Sequence, residues 1–153
     1  MRDINLLVVH CSATRPSLDV RAVEIDRWHR LRGFARIGYH YVVLRSGVVE
    51  LGREEQEIGA HTAGHNGRSI GICLVGGVAE DGRRAEANFR PQQYRALAAL
   101  LRELRQRYPR ARICGHRDLS PDTDGDGVIE RFEWVKECPS FDVTEWARQE
   151  GLT

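Results

Sequence analysis

Asp122-Thr-Asp124-Gly-Asp126-Gly127-Val128-Ile-Glu130-Arg-Phe-Glu133 sets acids at the first, third, fifth, ninth and twelfth places of a twelve-residue stretch, with glycine sixth and isoleucine eighth. That is the order of an EF-hand loop, whose hard oxygen ligands enclose a calcium ion. The expected ligands are Asp122, Asp124, Asp126, the Val128 carbonyl and a bidentate Glu133. Pro121, after Asp118-Leu-Ser120, opposes an incoming helix, so a complete helix-loop-helix is not expected. The alternative is an acidic turn leading into a helix around Phe132 to Lys136. The softer candidates are six histidines and four cysteines. Cys11, Cys73 and Cys114 lie in apolar runs, where a thiol packs as a small hydrophobe. Cys138 stands between Lys136-Glu137 and Pro139-Ser140, a polar setting that suits a ligand or a nucleophile. Spacing alone selects no metal set from these ten residues.

The elements that must position them follow from periodicity. Ile4 to Val9 reads as a buried strand that delivers His10, and Arg112 to Cys114 as a short strand that leads into Gly115-His116. Side chains distant in sequence can converge at strand ends on one edge of a sheet. Val20 to Arg32 fits a helix that Gly33 can end. Tyr39 to Arg45 and Val48 to Leu51 form a hairpin about Ser46-Gly47, and Ser69 to Val75 is another strand. Gly52 to Arg68 and Val78 to Arg90 are polar excursions. Pro91 suits the first turn of a helix whose stripe is Tyr94, Leu97, Leu101, Leu104 and Tyr108. Asp142-Val-Thr-Glu145 matches a capping box and opens a last helix through Trp146. The expected fold is α/β, one domain over residues 1–153, with a central mixed sheet flanked by helices and the EF-hand-like insertion at 122–133.

Seven segments, in order along nearly the whole chain, resemble the type 2 N-acetylmuramoyl-L-alanine amidases, a family that includes phage lysins and shares its fold with peptidoglycan recognition proteins. They are Val9-His-Cys-Ser-Ala-Thr14, Gly38-Tyr-His-Tyr41, Gly59-Ala-His-Thr62, Asn66, Ser69-Ile-Gly-Ile72, Gly115-His116 and Lys136-Glu-Cys-Pro-Ser-Phe-Asp142. The resemblance implies that His10, His116 and Cys138 hold zinc. Two imidazoles and one thiolate leave a fourth position for water, as catalysis requires. It also implies that Lys136 supplies positive charge to an oxyanion. Tyr39 would orient the attacking water or help move its proton. His61, Thr62 and Asn66 would line the substrate groove. His29 reads as a core or supporting residue, His40 points away from Tyr39 in a strand, and His65 has no assigned role.

The activity so implied is zinc-dependent cleavage of the bond between N-acetylmuramic acid and L-alanine in bacterial peptidoglycan, in a phage or prophage lysin. The alternatives are a peptidoglycan-binding module without activity, a regulatory interaction protein on the same fold, and an amidase acting on soluble muropeptides in wall recycling. Lys plus Arg is 23 and Asp plus Glu is 22, a net charge of +1 that argues against bulk capture of nucleic acid. No apolar run approaches the roughly 20 residues of a membrane-spanning helix, so no membrane partner is expected. The first ten residues are too short in their apolar part for a secretory signal and lack a small-residue cleavage site. The expectation is synthesis in the cytoplasm, without disulfides, as a monomer that reaches the wall by another route.

Overall fold

A computed structural model describes residues 1–153. Five strands form one mixed sheet: β1 (Leu6–Cys11), β2 (Tyr41–Val43), β3 (Val49–Leu51), β4 (Ser69–Leu74) and β5 (Arg112–Gly115), in the order β3-β2-β4-β1-β5. The β2–β3 pair is antiparallel, and β2–β4, β4–β1 and β1–β5 are parallel. The helices α1 (Ala22–Leu31) and α2 (Pro91–Arg107) lie in the crossovers from β1 to β2 and from β4 to β5, parallel strands that each stand two places apart in the sheet. The short α3 (Val143–Gln149) closes the fold, and its Asp142 carboxylate caps the Glu145 N–H at 3.0 Å. No helix is long and apolar enough to cross a membrane.

Alternation along the strands sorts the core into two faces. Leu7, Val9, Cys11, Ile70, Ile72 and Leu74 join the larger cluster with Leu97, Leu101 and Leu104 of α2 and Val143 and Ala147 of α3. On the other face, Val42, Leu44, Cys73 and Val75 pack with Val20, Ile25 and Ile37 around α1. β1 and β4 are buried along their whole length because both faces are covered, which is why they read as unbroken apolar runs. The helix α2 starts at Pro91, and the Arg90 N–H is taken up by Gln93 Oε1 at 2.9 Å. Gln93 is fully buried, and its amide donates to the Val75 and Val43 carbonyls at 2.9 and 3.3 Å, which ties α2 to two strands.

The sequence reading ends the first strand at Val9, but pairing with β4 carries it on through His10↔Cys73 and Cys11↔Leu74. His10 is therefore held inside a ladder, not on the loop after it. No helix spans Phe132 to Lys136: a single 3-10 turn, Arg131–Glu133, stands there. Glu133 is drawn inward to accept loop N–H groups, and this competes with helical bonding.

Candidate metal centre

His10, His116 and Cys138 each bring one donor atom within 4.8 Å of the others. Each arrives differently. His10 lies on the α1 face of β1, the same face as Leu6 and Val8. His116 begins the 3-10 turn after β5, and its ring centroid is 4.6 Å from that of His10. Cys138 returns on the loop before α3. That loop is pinned by the Arg117 N–H to the Cys138 carbonyl (2.9 Å), by Val135 N–H to Ser120 Oγ (3.1 Å), and by Arg117 stacked 3.9 Å over the Trp134 ring. The Cys11 N–H points at Cys138 Sγ, 3.2 Å away, and His10 Nδ1 lies 3.9 Å from the same sulfur.

The donor set fits zinc. A thiolate and an imidazole on one tetrahedral zinc stand roughly 3.6 Å apart, close to the sulfur–nitrogen separation here. His10 Nε2 is already engaged, 2.9 Å from His61 Nδ1 and 3.4 Å from Thr62 Oγ1, so Nδ1 is its free donor. With Nδ1 kept for a metal, Nε2 carries the proton and donates to His61, whose own Nε2 reaches Ser69 Oγ at 3.2 Å. Burial, with His61, His116 and Lys136 nearby, pushes His10 well below the usual imidazole range and keeps its lone pair available. Burial holds His61 neutral too, down to about 3. Contact with Cys11, together with burial, pushes the Cys138 thiol up. A thiolate there calls for a cation beside it, which is what a metal ion provides.

His10, His116 and Cys138 all line a groove of about 710 Å³. Tyr39, His61, Thr62, Asn66 and Lys136 also line it. Tyr39 stacks 5.1 Å from His10, and burial raises its phenol well above the ordinary value, so it stays a donor. Lys136 is exposed, and its charge opposes protonation of His10 and His116. The polar atoms of the other three turn inward. Asn66 Oδ1 accepts the His61 and Thr62 N–H groups at 2.9 and 2.8 Å, and Thr62 is buried. His29, also in the groove wall, accepts the Gly38 N–H at 2.8 Å and packs 5.3 Å from Tyr39. His40 is buried elsewhere, bonded to Gly71 N–H and the Glu57 carbonyl. His65 lies by Arg68.

Trp28, Arg32, Phe34 and Val135 line the groove without any role in the sequence reading. The stretch Arg32-Gly33-Phe34 just past α1 was the available signal. Gly71 is a second omission: a Cβ there would lie 2.5 Å from the His61 ring, so a bare strand position makes room for it. A smaller cleft of about 400 Å³, between the N-terminal segment and the end of α2, carries none of the ligands.

The EF-hand-like loop folds around its own backbone. Asp122 accepts the Gly125 and Gly127 N–H groups, Asp124 that of Asp126, and Asp126 that of Val128. Gly127, at the sixth place, takes φ 86°. The Asp122, Asp124 and Asp126 carboxylates are exposed and lie within 4.8 Å of one another. Glu133 is buried against the Thr123 and Glu130 N–H groups.

The family model described as N-acetylmuramoyl-L-alanine amidase (Amidase_2) matches residues 1–139. The chain belongs to that amidase family. A relative, the endolysin of Enterobacteria phage K11, is 44% identical over 140 residues, covering 92% of this chain and 83% of its own. Among solved structures, the endolysin amidase LysCS from Clostridium intestinale superposes with a TM-score of 0.76 at 26% identity, over 99% of this chain and 86% of that one. Bumblebee PGRP-SA shares the fold, with a TM-score of 0.73 at 20% identity over 97% of this chain and 82% of its own. The amidase sheet and the His-His-Cys group thus occur together in one molecule.

Proposed function

We propose that this amidase-family chain is a zinc-dependent N-acetylmuramoyl-L-alanine amidase that acts on bacterial peptidoglycan as a phage or prophage lysin. The observation that carries the reading is the convergence of His10, His116 and Cys138 in an open groove. Three protein ligands are the set that leaves a zinc ion a free position. Bound there, zinc would supply a Lewis acid and water of lowered pKa.

The chain's own groups do the rest. The groove admits the lactyl–alanine amide beside the three ligands, and the scissile carbonyl becomes a tetrahedral oxyanion when water adds. The Lys136 ammonium, free at the groove edge, compensates the charge on that oxygen. The Tyr39 phenol, still protonated, donates to the attacking water or to the carbonyl and fixes its approach. His61 and Thr62 hold the His10 ring so that Nδ1 faces the site. Collapse breaks the C–N bond and releases the alanine amine, which takes up the proton that the water gave up on adding. Asn66 shapes the loop that carries His61 and Thr62, the side of the groove that receives sugar or peptide.

Purified protein incubated with isolated Gram-negative sacculi tests the reading. New alanine amino termini, without new reducing sugar ends, are expected, and a zinc chelator abolishes them. Cleavage confined to soluble muropeptides would move the role to wall recycling. Zinc-loaded protein that cleaves neither would be a binding module.

We also read Asp122, Asp124, Asp126, the Val128 carbonyl and Glu133 as a structural calcium site that orders the segment bearing Lys136 and Cys138. Its support is the EF-hand order of residues and the turn those residues adopt. Calorimetric titration of zinc-loaded protein with calcium is expected to show binding below millimolar concentration, and silence at that level removes the reading.

A further inference from the structure

The groove is charged in one sense only. Two cationic side chains line it, Arg32 and Lys136, and no carboxylate does. Lys136 lies two residues before Cys138 in the chain. Arg32 is the first residue past α1, beside Phe34.

Three arginines of the surrounding segments are engaged. Arg30 pairs with Asp26 at 2.8 Å, Arg36 pairs with Glu57, and Arg53 donates to the Ile37 and Ile58 carbonyls at 2.8 and 2.7 Å. Arg32 has no such partner. Its guanidinium lies over the Phe34 ring, 5.2 Å from the centroid. An unpaired surface arginine is ordinary by itself, but this one ends a continuous aromatic wall. His10 to Tyr39 is 5.1 Å, Tyr39 to His29 is 5.3 Å and His29 to Phe34 is 4.9 Å between centroids. The wall is anchored where His29 accepts the Gly38 N–H. A planar guanidinium held on an aromatic face is pre-organised for two-point binding of a carboxylate.

The substrate has such a group on one side only. The sugar is uncharged once its lactyl carboxyl is tied up in the amide, whereas the stem peptide carries free carboxylates. We propose that Arg32 is a specificity residue that binds a free carboxylate of the stem peptide, on the leaving-group side of the scissile bond. The inference rests on the amidase reading above.

The test uses two muramyl pentapeptides that differ only in whether the stem carboxylates are free or amidated. They are given to zinc-loaded wild type, Arg32→Gln and Arg32→Lys. The wild type is expected to favour the free acid. R32Q raises KM for the free acid by roughly tenfold, with kcat, zinc content and KM for the amidated peptide unchanged, and R32K falls between. Equal effects on both peptides, or none, overturn the proposal. If the wild type cleaves neither peptide, the amidase reading fails separately. Calorimetric binding of the same pair then decides: a carboxylate preference lost in R32Q upholds the proposal, and equal affinities overturn it.

Discussion

The far nitrogen of His10 is held, which would make it a better zinc ligand than an isolated histidine. The 2.9 Å contact to His61, backed by Ser69, holds the ring, and a metal on Nδ1 would fix the tautomer. His61→Ala is expected to weaken zinc binding about 10- to 100-fold, measured by competition with a chromophoric chelator, while the fold persists. Lys136→Ala should leave zinc content intact and lower kcat about 100- to 1000-fold on muramyl peptides. A K136A variant with full kcat removes the oxyanion role. At this scale the sequence was legible by resemblance alone. Ten histidines and cysteines offered no spacing that selects three, and the His10–His61 contact spans residues that only the closed sheet brings together.

Among the elements, β4 shapes the groove although none of its residues lines it. Its inward position at Gly71 leaves the space that the His61 ring fills. Gly71→Ala puts a methyl into that ring, an overpacking that should cost about 1–3 kcal/mol in urea unfolding and weaken zinc binding as well. Unchanged stability and unchanged zinc affinity would mean that the ring moves aside freely. Long periodic elements were legible. The α2 stripe Leu97, Leu101 and Leu104 is fully buried, and Pro91 begins the helix. Boundaries set by partners were not. β1 gains two residues from its ladder with β4, and the segment after Phe132 loses its helix to the hydrogen bonds of Glu133. Part of the groove lining escaped notice because Trp28 and Phe34 look like ordinary apolar residues until α1 is laid beside the sheet.

For the whole molecule, acid is the sensitive direction. His40 accepts the Gly71 N–H on Nδ1 at 3.0 Å and so donates from Nε2 to the Glu57 carbonyl, which requires a neutral ring. Burial accordingly lowers its pKa. The unfolded chain binds this proton near pH 6.5 and the folded chain does not, so stability falls as pH drops below about 6.5. Glu55 adds to this. Burial raises its carboxyl, but Arg107, Tyr108 and Tyr41 together bring it below the usual value, so its contribution is lost at still lower pH. The urea midpoint of zinc-loaded protein is expected to decline from pH 7.5 to 5, and His40→Asn, which keeps an acceptor for Gly71, should flatten that slope. Equal slopes would locate the acid sensitivity elsewhere.

The ligands come from the first strand, from the turn after the last strand, and from the loop beyond it. A ribosome makes them in that order. A chain synthesised only as far as β5 contains His10 and has yet to make His116 or Cys138. A partial translation product would lack part of the proposed metal centre, so under the zinc reading bond cleavage would begin only once the polypeptide has been made past Cys138 and folded. Under that reading a cell making the protein would meet its activity only in finished molecules.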